Sequence, residues 1–345
     1  MRRAWFLLSL LLIAACAGQS QESRTEEILF SSGPFRIVGD LRLPGGRGPY
    51  PVVVFVHGDG PNNRTAGATY PPIMERMERV GYATFAWDKP GTGESTGQID
   101  RSRLVEQRAQ IVLDAIAVLK AHPDIDPEQI GLWGISQAGY VMPRVLSVSE
   151  DVAFMITVSC PGEAGFKQGS YLVAAQAACA GLPVEDAERV KSLIAAASLA
   201  QTYEEYVRYK APLAEYPALE AITELGFKVE VGSEEAWHAD DLEGVYYAFD
   251  PMEVIEQTTI PVLALFGEKD TQADPIQGPE AYRRALTRAG NPHSRVQLIP
   301  GADHNLILSE TGCLAERNRR ARSEWKNYAP EYLDTLEAWL GALQR

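Results

Sequence analysis

Cysteine and histidine are scarce in this chain, which has four cysteines and five histidines among its 345 residues. Neither type is spaced as a zinc site requires, because the sequence contains no Cys-x-x-Cys and no His-Glu-x-x-His. We therefore expect no metal centre in this protein.

Basic residues are also in the minority. The chain has 32 Lys and Arg against 46 Asp and Glu, which gives a formal net charge of −14 at pH 7. No Lys/Arg cluster of the kind that binds phosphate groups stands out, so we expect no nucleic-acid partner. An acidic balance of this kind mainly favours solubility.

Long apolar runs are lacking beyond the N-terminus. There, basic residues 1–3 precede an apolar stretch that is too short to span a bilayer comfortably. The stretch ends in Ile13-Ala14-Ala15-Cys16, which resembles the lipobox of bacterial lipoproteins, although an ordinary secretory signal with a chance cysteine would look similar. The resemblance implies a signal peptide over residues 1–15, lipidation of Cys16 and a polar tether over residues 16–27. The protein would then be exported and lipid-anchored in the bacterial cell envelope, with this anchor as its membrane contact.

Short strand-like runs recur along the rest of the chain, with helical patterns between them. The run 51–57 is continuously apolar, as expected for a strand buried on both faces, whereas 35–43 alternates in part, as an exposed antiparallel edge strand would. The alternation of strands and helices predicts an α/β fold with a doubly wound, mostly parallel sheet. The remaining strand-like runs are 83–87, 129–134, 153–160, 261–266 and 294–299.

The alternation of strand-like and helical segments is interrupted in the middle of the chain, where residues 161–257 are mostly helical in pattern. A block of this length is expected to form a helical cap inserted into the sheet domain, whose two parts are then residues 28–160 and 258–345. Because the block leaves the sheet at the carboxyl end of a strand, we expect it to cover the mouth of the site. Four of its aromatic residues either line an apolar pocket or form the core of the cap: Trp237, Tyr246, Tyr247 and Phe249.

A nucleophile is predicted in the segment Gly134-Ile135-Ser136-Gln137-Ala138-Gly139. The apolar run before Ser136 predicts a strand and the residues after it predict a helix, so the serine lies on a tight strand-to-helix turn. Only small residues fit two positions to either side of such a serine, and the chain has Gly134 and Ala138 there. This nucleophile elbow lifts the hydroxyl clear of the sheet.

A serine hydroxyl is a weak nucleophile, and it needs a base together with an acid that orients the base. Of the five histidines, only His304 follows the end of a late strand, which makes it the predicted base. Asp270, just past the run 261–266, is the preferred acid, with Glu268 and Asp274 as competitors in the same loop. The predicted triad then follows the carboxyl ends of strands, in the order Ser, Asp, His.

The oxyanion of an acyl-transfer intermediate needs hydrogen-bond donors. One donor is expected to be the backbone N–H of Gln137, directly after the nucleophile. The other is expected in the glycine-rich loop after the run 51–57, where the N–H of Asp59 is preferred and that of Gly60 is second. We interpret His57 in this loop as a brace rather than a proton carrier.

Taken together, these motifs resemble the α/β-hydrolase superfamily over essentially all of residues 28–345. The chain looks most like bacterial esterases of the dienelactone-hydrolase-like and prolyl-oligopeptidase-like branch. Two positions depart from the usual pattern, since Pro90 stands where arginine is common and Ala138 replaces the second glycine of the elbow. A serine nucleophile also disfavours dienelactone hydrolysis itself, which uses cysteine. The segments that carry the resemblance are 57–61, 88–95, 134–139, 266–270 and 301–305.

The resemblance and the predicted triad imply a serine hydrolase that cleaves a small-molecule carboxylic ester through an acyl-enzyme on Ser136, without a metal or an organic cofactor. A serine aminopeptidase, or a thioesterase or acyltransferase, is the alternative on the same fold. A peptidase commonly binds a free amine through paired carboxylates, and the cap has such pairs in Glu204-Glu205, Glu234-Glu235 and Asp240-Asp241. A catalytically silent binding module is the third hypothesis.

Three cysteines remain beside Cys16. Cys160 ends an apolar strand and is expected to be a buried thiol. If a disulfide forms in this exported protein, we therefore expect it between Cys179 and Cys313, where it would tie the insertion to the loop after His304.

Overall fold

The computed structural model describes residues 22–225, 227–240 and 249–344. The strands in this part of the chain are β1 (Arg24–Ser32), β2 (Phe35–Leu43), β3 (Tyr50–Val56), β4 (Ala83–Trp87), β5 (Ile125–Ile135), β6 (Phe154–Val158), β7 (Val262–Gly267) and β8 (Arg295–Ile299). They form one sheet in the order β1-β2-β4-β3-β5-β6-β7-β8. Strands β3 to β8 pair in parallel, while β2 is antiparallel to both β1 and β4. The predicted α/β fold with a mostly parallel sheet is confirmed.

Helices connect these strands and lie on both faces of the sheet. They are α1 (Tyr70–Arg79), α2 (Leu104–Lys120), α3 (Ala138–Leu146), α4 (Gly165–Cys179), α5 (Val184–Ser198), α6 (Tyr203–Lys210), α7 (Glu234–Asp240), α8 (Met252–Ile255), α9 (Gln277–Ala289), α10 (Leu314–Arg319) and α11 (Pro330–Leu343). Short 3₁₀ helices cover Ala66–Ala68, Arg101–Arg103, Ala211–Glu215, Pro217–Leu225 and Arg322–Lys326. The doubly wound arrangement places α2, α3 and α9 on one face and α1 and α11 on the other.

The central strand β3 shows why its sequence is continuously apolar. Val52, Val54 and Val56 pack into the hydrophobic cluster under α2 and α3, whereas Val53 and Phe55 pack into the cluster under α1 and α11. Successive side chains of a strand point to opposite faces, and here both faces are covered. The prediction of a strand buried on both faces is confirmed.

The antiparallel edge of the sheet differs from the prediction. The sequence pattern predicts β2 as the exposed edge, but β2 lies between β1 and β4, and β1 is the edge. The predicted tether, residues 16–27, is wrong at its end, because residues 24–27 belong to β1 and pair with β2. Charged residues such as Glu26 and Glu27 are favoured on edge strands, and they also make the segment look like a polar tether in the sequence.

Between β6 and β7 the chain forms helices instead of a further strand, over the described part of residues 161–257. Helices α4 and α5 share a hydrophobic cluster with the 3₁₀ segments that follow α6. Trp237 packs against the rings of Tyr203 and Tyr206, with centroid separations of 6.1 and 6.0 Å, so it belongs to the insertion's own packing. Tyr246 and Tyr247 lie outside the described residues.

A disulfide joins this insertion to the sheet domain. Cys179 at the end of α4 is bonded to Cys313 just before α10, 134 residues further along the chain. Cys160 is a buried free thiol, and its burial raises the pKa of the thiol far above the ordinary value. Both cysteine predictions are confirmed.

The predicted signal peptide, residues 1–15, and the predicted lipidation site Cys16 lie outside the described residues. Within the described ranges, no helix combines the length and the apolar character needed to cross a bilayer. The signal peptide and the lipid anchor therefore stay predictions.

Candidate active site

Ser136 lies on a tight turn between β5 and α3. Its φ is +57°, a left-handed value that is strained for a residue with a side chain. Its backbone N–H donates to the carbonyl oxygen of Val158 at 2.9 Å, which ties the turn to β6. A Cβ at Gly134 would lie 2.6 Å from the Cβ of Ala138, so only glycine fits beside the turn. The predicted elbow geometry is present.

The imidazole of His304 is held by the carboxylate of Asp270. His304 Nδ1 lies 2.8 Å from Asp270 Oδ2, and both side chains are buried. The other oxygen, Oδ1, accepts hydrogen bonds from the backbone N–H groups of Gln272 at 2.7 Å and Ala273 at 2.9 Å. Because both oxygens are engaged, the carboxylate is fixed in orientation. It favours the tautomer with the proton on Nδ1, which leaves Nε2 free to accept a proton.

Glu268 and Asp274, the competing acids of the same loop, have other partners. Glu268 is exposed, and its Oε2 accepts a hydrogen bond from the N–H of Gly301 at 2.8 Å. Asp274 Oδ1 accepts hydrogen bonds from the N–H groups of Ile276 and Gln277 at the start of α9. The contact with the imidazole therefore selects Asp270 among the three acids.

Asp303 fixes the loop that carries His304. Its Oδ1 accepts hydrogen bonds from two backbone N–H groups of its own loop, and its Oδ2 accepts one from Arg320 Nη1 at 2.6 Å. The loop also lies directly on the end of β7, where a Cβ at Gly267 would be 2.2 Å from the carbonyl oxygen of Asp303. This close approach holds the loops after β7 and β8 together, and with them the acid and the imidazole.

The loop after β3, which carries Asp59, is held by a buried lysine. Lys89 Nζ donates to the carbonyl oxygens of Gly58 at 2.6 Å and Gly60 at 2.7 Å. The carbonyl of Gly58 and the N–H of Asp59 belong to one trans peptide group, so they point in opposite directions. Lys89 therefore turns the Asp59 N–H away from itself, and the hydrogen bond to the carbonyl oxygen polarises that N–H. The carbonyl oxygen of Asp59 likewise accepts a hydrogen bond from Asn62 Nδ2 at 2.8 Å, so the peptide group that carries the Gly60 N–H is held in a similar way and Gly60 stays the second candidate donor.

Arg108 links the two predicted oxyanion donors through their side chains. Its buried guanidinium donates to Gln137 Oε1 and to the carbonyl oxygen of His57. Gln137 Nε2 in turn donates to Asp59 Oδ1 at 3.1 Å. Burial lowers the pKa of Lys89 to about 6, with the positive charge of Arg108 acting in the same direction and the carboxylate of Asp59 opposing it.

Both ring nitrogens of His57 are engaged. Nδ1 lies 2.8 Å from the hydroxyl oxygen of Tyr70, and Nε2 lies 2.6 Å from the carbonyl oxygen of Trp87. Burial, reinforced by the positive charges of Lys89 and Arg108, lowers the pKa of His57 well below its ordinary value, so the ring stays neutral. These contacts hold the ring of His57 in place, and its role as a brace of the loop stays a prediction.

Ser136 and His304 line one cavity of about 540 Å³. Gly58 and Asp59 of the loop after β3 also line it, as does Arg317 of α10. The remaining lining is rich in apolar side chains, which suits the body of an organic substrate: Tyr70, Ile73, Trp133, Trp325, Tyr328 and Tyr332.

The described residues of the helical insertion contribute no side chain to this lining. They contact the loop that carries the acid instead. The hydroxyl of Tyr171 donates to the carbonyl oxygen of Asp270 at 2.8 Å, and Gln176 Nε2 donates to that of Thr271 at 3.0 Å. Gln176 Oε1 also accepts a hydrogen bond from the N–H of Leu314 at 3.1 Å. The described part of the insertion thus supports the site from outside, and the predicted cover over its mouth is not seen there.

A cluster of Glu26, His122 and Asp124 lies at the amino end of β5, opposite to the end that carries Ser136, with ligand atoms within 4.8 Å of one another. Arg24 donates to Glu26 Oε1 at 2.8 Å and to Asp124 Oδ2 at 2.5 Å. An arginine therefore already pairs with both carboxylates, and we interpret the cluster as a group of ion pairs.

A model of the alpha/beta hydrolase family matches residues 53–313 of the chain, a range that contains Ser136, Asp270 and His304. The chain belongs to this family. Solved structures share its fold. The Pyrococcus furiosus esterase Pf2001 superposes with a TM-score of 0.55 at 16% sequence identity, covering 93% of this chain and 91% of that chain.

Two curated fungal proteins are similar in sequence to this alpha/beta hydrolase. The thiohydrolase aneE of Aspergillus aculeatus is 30% identical over 147 residues, which are 41% of this chain and 45% of that protein. The polyketide transferase grgF of Penicillium sp is 28% identical over 97 residues, which are 28% of this chain and 33% of that protein. In these matches the chain spans less than half the length of either relative.

Lys89, Arg108 and Arg317 are the residues of this alpha/beta hydrolase site that the sequence analysis missed. Arg108 had a usable signal, because it lies between Val105 and Val112 on the buried, apolar face of α2. A charged residue at such a position needs a partner inside the protein. Lys89 and Arg317 lie in polar segments, where a charged residue carries no such signal.

Proposed function

We propose that the protein is a serine hydrolase that cleaves carboxylic esters through an acyl-enzyme on Ser136. The observation that carries the proposal is the imidazole of His304, held at 2.8 Å by Asp270, in a cavity that Ser136 also lines. Acyl transfer needs this combination of a nucleophile, a base and an acid that orients the base.

In the proposed reaction, His304 Nε2 takes the hydroxyl proton of Ser136 while Oγ attacks the carbonyl carbon of the ester. Negative charge develops on the carbonyl oxygen, where the backbone N–H groups of Gln137 and Asp59 stabilise it. Asp270 stabilises the imidazolium. Collapse of the intermediate breaks the C–O bond, and the leaving alcohol takes the proton back from the imidazolium. Water, activated by the same imidazole, then hydrolyses the acyl-enzyme.

A thioester hydrolase or an acyltransferase is the second candidate. It is favoured by the names of the two curated relatives, a thiohydrolase and a polyketide transferase. The candidates share every step up to the acyl-enzyme. They differ in the leaving group, alcohol or thiol, and in whether water or another nucleophile accepts the acyl group.

The first test compares the wild-type enzyme with Ser136→Ala and His304→Ala. A fluorophosphonate is expected to label the wild type at Ser136 and not to label the alanine variant. Both variants are expected to lose turnover, and the double variant to be little worse than either, because the residues act as a unit. An alanine variant that keeps its circular dichroism spectrum and most of its activity contradicts the assignment.

The second test assigns the reaction class. Turnover is measured on p-nitrophenyl esters of graded acyl length, on thioesters with the same acyl groups, and on aminoacyl-nitroanilides. We expect the esters to be the best substrates. Preference for the thioesters would favour the second candidate, and preference for the nitroanilides would favour the aminopeptidase alternative.

Export and anchoring through a lipidated Cys16 form part of the proposal and rest on the lipobox-like motif before it. A Cys16→Ser variant is expected to leave the membrane fraction, and a variant that stays there refutes the anchor. A chain that starts at Glu22 keeps all of β1, so we expect it to be soluble and active. Membership in the dienelactone-hydrolase-like and prolyl-oligopeptidase-like branch is likewise proposed, on the motifs that carry that resemblance.

A further inference from the structure

Arg317 is a charged residue of the catalytic cavity to which the proposed reaction gives no task. It lies on α10, in the segment that follows His304, and it lines the same cavity as Ser136. The side chain is half-buried. A positive charge in this place needs an explanation, because burying a charge without a counter-ion is unfavourable.

Within the described ranges, no carboxylate forms an ion pair with Arg317. Its one side-chain hydrogen bond there runs from Nη1 to Gln272 Oε1 at 3.2 Å, and Gln272 is neutral. The Nε atom is buried and has no partner among the described residues. The guanidinium lies over the ring of Trp325, with Cζ 5.2 Å from the ring centroid, and this contact holds it in place without occupying its N–H donors.

Arg320, three residues further along the chain, provides a comparison. It also lies over the ring of Trp325, with Cζ 6.0 Å from the centroid. Its Nη1, however, forms an ion pair with Asp303 Oδ2 at 2.6 Å. Arg320 is thus ion-paired with a carboxylate, whereas Arg317, which lines the cavity, has the carboxylates of Asp303 and Asp270 near it without a direct ion pair.

The chemistry of the unused donors indicates the kind of group that would bind. Burial lowers the pKa of Arg317, while the carboxylates of Asp303 and Asp270 act in the opposite direction, and a guanidinium stays protonated at neutral pH. Its planar fork binds anions that present two adjacent oxygens, such as a carboxylate, in a bidentate manner. Asp59, the acidic residue of the same lining, is already engaged by Gln137 at 3.1 Å.

We infer that Arg317 determines substrate specificity by binding a carboxylate that the substrate itself carries. The substrate class is then an ester or thioester with a free carboxylate on its acyl part or on its leaving part. The inference deepens the proposed function and rests on it, since the carboxylate is bound so that the carbonyl carbon reaches Ser136.

The experiment uses two pairs of esters, each made of an acid and its methyl ester, and compares the variants within each pair. p-Nitrophenyl hydrogen glutarate and its methyl ester place the carboxylate, or its neutral form, on the acyl part. 4-Acetoxybenzoate and its methyl ester place it on the leaving part. Each pair is measured with the wild type, with Arg317→Met, and with the matched control Arg319→Met, which removes an exposed charge from the same helix.

We expect the wild type to prefer the acidic member of one pair, and the pair that shows the preference identifies the part that carries the carboxylate. Arg317→Met is expected to lower kcat/KM for that acidic ester at least about tenfold, mainly through KM, because a charged hydrogen-bonded pair is lost. The neutral ester should change less than about twofold, and Arg319→Met should leave both members unchanged.

Binding is measured separately from turnover, by calorimetry with the same four esters on Ser136→Ala and on Ser136→Ala/Arg317→Met. We expect an acidic ester to bind the first protein more tightly than its neutral partner, and the second protein to lose this difference. If no ester is turned over by the wild type but the charge preference in binding persists, the proposed function fails and the anion site stands.

Three results overturn the inference. The first is a wild-type enzyme with the same kcat/KM for the acidic and the neutral ester in both pairs. The second is an Arg317→Met variant in which kcat/KM falls equally for the acidic and the neutral esters. This result would mean that Arg317 only positions Gln272 beside Asp270. The third is an Arg319→Met variant that reproduces the effect, since the preference would then come from the overall charge of the surface.

Discussion

Replacing Asp270 by asparagine removes one charge and keeps the shape of the side chain, and the structure predicts which way the new amide faces. The present Oδ1 accepts hydrogen bonds from two backbone N–H groups, the part-buried one of Gln272 and the buried one of Ala273. In the Asp270→Asn variant the amide oxygen is expected to keep these two donors. The NH₂ group then occupies the position of Oδ2, 2.8 Å from His304 Nδ1.

An NH₂ group in that position can only donate, so Nδ1 of His304 has to accept and the ring proton moves to Nε2. An Nε2 that carries a proton cannot take the proton of Ser136. If the amide turned over, its oxygen would face His304 and restore the tautomer with the proton on Nδ1. The N–H groups of Gln272 and Ala273 would then face an NH₂ group and lose their acceptor. The cost is about 1–3 kcal/mol for each unsatisfied donor. The wrong tautomer is therefore expected to dominate.

The expected loss in kcat is about 10⁴-fold, the size of effect known for a triad held in the wrong tautomer. This corresponds to roughly 5 kcal/mol of transition-state stabilisation at 1.36 kcal/mol per tenfold change. KM is expected to change little, because Asp270 contacts the imidazole and backbone groups rather than the cavity.

The assay measures kcat and KM on a short p-nitrophenyl ester together with the rate of fluorophosphonate labelling. Glu268→Gln and Asp274→Asn are the matched controls, since they change carboxylates of the same loop that have other partners, and we expect mild effects from both. Thermal unfolding checks that all three variants are folded. A kcat of Asp270→Asn within tenfold of the wild-type value would refute the orientation argument. A large loss of kcat in Glu268→Gln would mean that Glu268 is the acid.

Two further predictions concern the supports of the site. Lys89→Met is expected to lower kcat by up to about 100-fold, because it releases the peptide group that presents the Asp59 N–H, and loss of one oxyanion donor costs ~100–1,000-fold. The pKa of Lys89 falls from its ordinary 10.5 to about 6 in the fold, so between these two pH values the unfolded chain binds one proton more than the folded protein. The free energy of unfolding of the wild type should therefore increase with pH relative to that of Lys89→Met, which urea unfolding would measure. Parallel pH profiles of the two proteins would contradict this. The disulfide closes a loop of 134 residues, so Cys179→Ser/Cys313→Ser is expected to lose up to ~5 kcal/mol of stability by chain entropy. A reductant should lower the thermal midpoint of the wild type and leave the double variant unchanged, and a wild type insensitive to reductant would show that the bridge does not stabilise it.

Local patterns were sufficient for most of the fold. Continuous apolar runs such as 51–57 predict parallel strands covered on both faces, because a polar side chain on either face of such a strand would be buried. The edge strand β1 was missed for the opposite reason. Its charged residues suit an exposed edge, and only its pairing with β2 distinguishes it from a polar tether.

The sequence by itself determined the identities of Ser136, Asp270 and His304 as candidates, since chain order and strand ends restrict the choice in a parallel sheet. Sequence left Glu268 and Asp274 beside Asp270 as candidate acids, and the fold brings the carboxylate of Asp270 to the imidazole. The disulfide followed by elimination, because the third thiol ends a buried strand.

The tertiary structure alone placed Lys89, Arg108 and Arg317 at the site. Each acts through groups distant in sequence. Lys89 reaches carbonyl oxygens 29 and 31 positions away, and Arg317 contacts Gln272 45 positions away. No periodicity or spacing encodes such contacts, because they depend on where loops from different strands meet at one edge of the sheet. Whether a charge is paired or left facing a cavity is therefore a property of the folded chain.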